Sequence, residues 1–159
     1  MHDLKTGSYT VRGPVALGAA LAGASANVAH ALDAYARPLG IAFQLRDDLL
    51  GSFGDPKTTG KPVGTDLRRG KQTALIVALR GDAEGARIMD RVLGVEDAPQ
   101  DEVDALLARI VASGAKARVE ARLEALVAEA TRALGAVTLA PDARAVLDGA
   151  AAALGIREY

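Results

Sequence analysis

Alanine fills 34 of the 159 positions and β-branched residues are sparse, a bias that narrows the possible folds more than any other feature of the chain. Alanine gives up almost no side-chain entropy in a helix, whereas Val, Ile and Thr lose χ1 freedom there. The expected class is all-α. Half of the residues are apolar, so a single helical domain over residues 1–159 has enough material to bury a core.

Apolar spacing and end signals divide the chain into helices. Pro14 suits the first turn of a helix through Ala22, and Gly23 with Ser25 supplies a stop and a cap for the next one. From about Asn27 towards Leu50, Val28, Ala31, Leu32, Tyr35, Leu39, Ala42 and Phe43 recur every three or four residues and draw one apolar stripe, with a kink expected at Pro38. Residues 51–70 read as a loop: five Gly, two Pro, three Thr and, with Lys71, five basic residues. A connection of that length is usually functional in a compact domain. Beyond it the spacing predicts helices over Thr73–Leu79, Asp82–Leu93, Asp101–Ala112 and Ala115–Leu134. The third of these turns Val103, Leu106, Leu107 and Ile110 inward, and the fourth Val119, Leu123, Leu126 and Val127. Pro141 followed by Asp142 opens a last helix to Leu154.

Several function classes are disfavoured at this level. Nineteen Lys and Arg against twenty Asp and Glu leave a net charge of -1, and aromatics make up 3% of the chain, which argues against a basic, ring-bearing nucleic-acid surface. The absence of cysteine removes disulfides, thiolate metal sites and a thiol nucleophile, so cytoplasm is the default compartment. The longest apolar stretch, Val15–Ala36, is mostly Ala and Gly and contains Asn27, His30 and Asp33, a poor membrane span. The start of the chain lacks the pattern of a cleavable signal peptide. His30 reads as a helix-surface or packing residue, and no Ser/His/Asp spacing or Walker-type loop occurs.

The densest chemical signal is Phe43-Gln44-Leu45-Arg46-Asp47-Asp48-Leu49-Leu50-Gly51 at a helix C-terminal end. Adjacent carboxylates there oppose the helix dipole, and a divalent cation would offset them. Mg²⁺ takes one or two carboxylates and keeps its other positions for water and phosphate oxygens. Gln44 precedes Asp47 and Asp48 by three and four residues and shares their side of the helix. A solvated Asp pair bridged to Arg46 or another Arg is the plainer alternative. The segment behind the pair tips the balance, because Lys57, Lys61, Arg68, Arg69 and Lys71 lie among glycines that let ammonium tips and backbone N–H groups approach diphosphate oxygens. Lys5-Thr6-Gly7-Ser8 before the first helix is a weaker anion-binding signal.

In order, Phe43-Gln44-Leu45-Arg46-Asp47-Asp48-Leu49-Leu50-Gly51-Ser52-Phe53-Gly54-Asp55, Thr59-Gly60-Lys61-Pro62, Gly64-Thr65-Asp66-Leu67 and Gly70-Lys71 resemble the second aspartate-rich motif region of the trans-isoprenyl diphosphate synthases, and Lys5-Thr6 resembles that family's upstream Lys-Thr pair. The resemblance implies the C-terminal half of an isoprenoid-synthase-type helical bundle. It further implies a Mg²⁺-dependent prenyltransferase, in which an allylic diphosphate loses pyrophosphate and the resulting cation is attacked by isopentenyl diphosphate to give longer products such as geranylgeranyl diphosphate. Carried over residue by residue, Asp47 is a Mg²⁺ ligand and Asp48 a ligand or a support behind it. Lys5, Lys61 and Lys71 hold diphosphate, Thr6 and Gln44 place polar oxygens near the allylic cation, and Asp66 orients metal-bound water or a lysine.

Two departures from the family pattern bear on this expectation. Gly51 stands where the motif's third aspartate is usual, and nothing in the chain matches the first aspartate-rich motif. The expectation is therefore a half-site, inactive as an isolated chain and completed by a complementary N-terminal half or a homologous synthase subunit in a hetero- or homo-oligomer. A non-catalytic regulatory or stabilising subunit of a full-length synthase is the alternative, and a terpene-cyclase relative ranks below both.

Overall fold

A computed structural model describes residues 9–60 and 62–155, with the side chains of 58, 59 and 155 left aside. Most of these residues are helical and none lies in a strand, so the all-α expectation holds for them. The helices are α1 (Gly13–Leu21), α2 (Ala26–Phe53), α3 (Pro56–Thr59), α4 (Thr65–Arg68), α5 (Ala74–Leu79), α6 (Ala83–Val92), α7 (Gln100–Ala112), α8 (Ala115–Leu134) and α9 (Pro141–Gly155). None of them is long and apolar enough to cross a membrane.

Side-chain caps set several of the boundaries. Ser25 Oγ accepts from Val28 N–H at 3.4 Å at the head of α2, Thr73 accepts from Ile76 N–H to start α5, and Asp82 accepts from Gly85 N–H to start α6. Pro38 lies inside α2 and does not end it. The sequence reading needs correction over residues 51–70, where the expected long loop is more ordered. α2 continues to Phe53, and two single-turn helices follow. Asp55 accepts from Lys57 N–H at 2.9 Å with Pro56 in the first turn of α3, and Gly60 closes that turn at φ 68°. A four-residue helix shows no apolar period, so these turns are visible only through their caps.

The chain forms two compact units. One combines the described residues up to Arg46 with those from Arg122 onward. Its core is Leu32, Tyr35, Ala36 and Leu39 of α2 with Ala130 and Leu134 of α8 and Ala151 of α9. The Tyr35 hydroxyl donates to the Leu147 carbonyl at 2.8 Å, and burial, aided by the charge of Asp148, pushes its pKa up to about 12. Arg46 reaches the Leu154 carbonyl at 3.1 Å.

The second unit runs from Asp47 to Ala121. Its α7 packs against α5 and α6 and buries Val103, Leu106, Leu107 and Ile110, the four inward residues expected from spacing. Gly64, at φ 84°, comes so close to α7 that an added Cβ would overlap Val103. Arg109 clamps the head of α6 from α7, with Nε 2.8 Å from Asp82 Oδ1. The hydrogen bonds from Arg109 and then from Gly85 N–H hold the Asp82 carboxyl near a pKa of about 2, below its ordinary value. The native state therefore binds fewer protons than the unfolded chain between the ordinary aspartate range and about 2, and stability falls as pH drops through that window. We expect the gap in melting temperature between the parent and Asp82→Asn to be widest at neutral pH and to close as pH falls from about 4 towards 2. Thermal melts across that range measure it.

Candidate functional site

Three carboxylates of the second unit meet around one ammonium group. Asp47 and Asp48 come from the last turns of α2, Asp66 from the first turn of α4, and Lys71 from the segment before α5. Lys71 Nζ lies 2.9 Å from Asp66 Oδ2, 3.2 Å from Asp48 Oδ1 and 3.4 Å from Asp47 Oδ2. Its backbone is held as well, since Lys71 N–H donates to the Asp66 carbonyl at 3.0 Å. Burial works against its charge. The hydrogen bond to Asp66, with the charge and hydrogen bond of Asp48, overcomes that penalty and holds the ammonium above the ordinary lysine range.

The two neighbouring aspartates occupy opposite environments. The Asp47 side chain is 60% exposed, whereas that of Asp48 is 0% exposed. Asp48 Oδ2 accepts from Ala74 N–H, the first residue of α5, at 2.8 Å. Successive residues on a helix point about 100° apart, so one carboxylate meets solvent and the other meets α5. Position 51, where the resemblance leaves a carboxylate missing, lies beside one from another helix. A Cβ added to Gly51 would stand 3.2 Å from Asp66 Oδ2.

The other expected site residues are placed less completely. Gln44 is buried on α2 one turn before the pair and belongs to the first unit. Lys5, Thr6 and Lys61 lie outside the described residues. Arg68, counted in the sequence among possible diphosphate partners, is engaged elsewhere. Its Nε donates to the Ala98 carbonyl at 3.0 Å and its Nη2 to Gln100 Oε1 at 2.9 Å, tying α4 to the head of α7. The anchoring of Asp48 by a backbone N–H of Ala74 was not anticipated. Thr73, a good cap, signals a helix start there, but the identity of its acidic partner twenty-six residues upstream has no local signature.

Mg²⁺ accepts hard oxygen donors such as these carboxylates, which here face the Lys71 ammonium. Among the described residues no group of three or more His, Cys, Asp or Glu side chains is placed so that it could hold a metal ion by itself. The donor set suits an ion that takes one exposed carboxylate and completes its shell with diphosphate oxygens and water.

Comparison with known proteins gives a consistent picture. The chain is 40% identical over 137 residues to a geranylfarnesyl diphosphate synthase of Aeropyrum pernix, covering 86% of this chain and 42% of that protein. It is 42% identical over 113 residues to a (2E,6E)-farnesyl diphosphate synthase of Mycobacterium bovis, covering 67% of this chain and 32% of the relative. Among solved structures, a geranylgeranyl pyrophosphate synthase from Corynebacterium glutamicum, complexed with isoprenyl diphosphate and magnesium, superposes with a TM-score of 0.89. It is 37% identical, and the match covers 99% of this chain and 45% of that one. The chain thus spans less than half the length of each of these relatives. The family model described as Polyprenyl synthetase matches residues 1–110, and with these relatives it establishes that the chain belongs to the polyprenyl synthetase family.

Proposed function

We propose that this chain is the half of a Mg²⁺-dependent prenyltransferase that holds the diphosphate of an allylic substrate, and that it works only with a half bearing the first aspartate-rich motif. The observation that carries this reading is Lys71 Nζ set among Asp47, Asp48 and Asp66 at 2.9 to 3.4 Å, within a stretch that the family model covers. Bound Mg²⁺ supplies neutralisation of the charge that develops on pyrophosphate as it leaves the allylic carbon.

The protein's own groups prepare for that step. Asp47, exposed, holds the metal, and Lys71 presents an ammonium to the diphosphate oxygens. Asp66 orients Lys71. Lys5 and Lys61 add further positive charge, and Thr6 and Gln44 place polar oxygens near the cation, as the resemblance implies. The π-electrons of isopentenyl diphosphate then form the new carbon–carbon bond, and a proton leaves the adduct.

The test is chain elongation from an allylic diphosphate and isopentenyl diphosphate, assayed for the chain alone and after addition of candidate halves from the same source. Product formed only by the mixture supports the proposal. Elongation by the isolated chain overturns the dependence on a partner, and a silent mixture that has assembled overturns the catalytic reading in favour of a regulatory subunit.

A further inference from the structure

The first unit carries a groove of about 410 Å³ between α2 and α8. Arg37 and His30 stand on its α2 wall and Arg122 on its α8 wall, all three exposed. Pro38 and Leu126, both buried, and half-buried Ile41 form an apolar floor. Among the described residues neither the Arg37 nor the Arg122 guanidinium makes an ion pair or a hydrogen bond. The acids of the groove do not answer them. Asp33 is held by Arg12 of the segment leading into α1, with Nε 2.6 Å from Oδ1. That leaves Glu129 on α8 against two guanidiniums and an imidazole. A single exposed arginine is ordinary surface, but two on opposite walls of one groove can close on the same anion. Guanidiniums take phosphate oxygens through parallel N–H donors and stay charged at every working pH. The floor beneath them offers a hydrocarbon tail a surface to leave water on.

We propose that this groove is a second anion site, which takes a short prenyl diphosphate without magnesium. Arg37 and Arg122 grip the diphosphate from the two walls, and the tail lies on Pro38, Ile41 and Leu126. The choice of a prenyl tail rests on the proposed function, in which such compounds are substrate and product. The pair of guanidiniums does not rest on it. Charge separates the two kinds of site. At Lys71, carboxylates face the ammonium and a metal is needed between them and a diphosphate, whereas in the groove permanent cations meet the anion directly. The chain thereby holds prenyl diphosphate at residues that the metal-dependent step does not use.

The experiment is a calorimetric titration of the full chain with geranyl diphosphate in buffer stripped of divalent metal by a chelator. Binding is expected under these conditions. Arg37→Gln and Arg122→Gln should each weaken it by about tenfold, the scale of one lost charge-assisted hydrogen bond. Glu129→Gln removes a like charge from the groove and should tighten binding by about two- to threefold. A merely structural role for these side chains has no means of strengthening the complex, and their exposure predicts unchanged melting temperatures in all three variants. Pyrophosphate, which has no tail, and geraniol, which has no charge, should both bind more weakly than geranyl diphosphate. Lys71→Met should bind geranyl diphosphate without metal as the parent does. No binding in the absence of metal, full binding by the Arg37→Gln/Arg122→Gln double variant, weaker binding by Glu129→Gln or a loss in Lys71→Met would each overturn the inference. Pyrophosphate bound as tightly as geranyl diphosphate overturns the assignment of a prenyl tail. Failure of a completed assembly to elongate strikes the proposed function while metal-free binding of geranyl diphosphate stands, so the two failures are told apart.

Discussion

Asp47→Ala is expected to lower the turnover of the completed enzyme by about 10² to 10³-fold while leaving assembly and folding intact, the scale seen when a single group that stabilises transition-state charge is removed. The environment of Asp47 explains the separation of effects. Its side chain is 60% exposed and lies 3.4 Å from Lys71 Nζ, a surface pairing of the kind that contributes only about 0 to 1 kcal/mol to stability. Lys71 keeps its shorter approaches to Asp66 and Asp48 when Asp47 is gone. Steady-state kinetics together with native mass measurement check both halves of the expectation. A stabilising subunit would assemble in the same way and leave turnover unchanged, so this one substitution decides between the two functional readings.

Lys71→Met should have the larger structural effect. Methionine reproduces much of the length of the side chain but leaves Asp48, fully buried, and Asp66 without the ammonium between them. Removing one partner of a buried ion pair typically costs 3–5 kcal/mol. Partial exposure of the lysine tip to solvent moderates this, and a loss of about 2–3 kcal/mol in unfolding free energy is expected. Pyrophosphate affinity should fall with it. Added Mg²⁺ should restore more stability to the variant than to the parent, since the variant carries a larger uncompensated negative charge. Denaturant titrations with and without magnesium measure the difference. The lysine's own titration gives the sign of the pH effect. Because its pKa is raised in the folded state, its contribution is complete below the ordinary lysine range and is lost only as pH climbs past it. The cluster therefore stays intact through neutral and mildly alkaline conditions.

Much of the helical framework could be read from the chain alone, and the particular elements show why. Ala115–Leu134 agrees with the expected helix at both ends. Pro141 opens α9, and Asp82 caps α6 where an acidic residue precedes an apolar stripe. These signals are local, because caps and a three-to-four residue period act within one or two turns. Val127, expected to face inward with Val119, Leu123 and Leu126, is only partly buried against the core of the first unit. The segment over residues 51–70 was harder to read, since its order comes from Asp55, Gly60 and Gly64 at single-turn scale.

By itself the amino-acid sequence determined an all-α chain, the positions of its longer helices and the residue types of an acidic and lysine-bearing motif, because backbone entropy, capping and apolar spacing are properties of neighbours along the chain. Only the tertiary structure decided that Asp47 faces solvent while Asp48 is buried, that Ala74 N–H anchors Asp48, that Arg68 serves the Ala98 carbonyl, and that Asp66 fills the space beside Gly51. The last three of those facts join residues 15 to 30 positions apart, from Asp66 beside Gly51 to Arg68 with Ala98. Which face of a helix meets another element is set by packing, and a pattern that repeats every few residues carries no record of it.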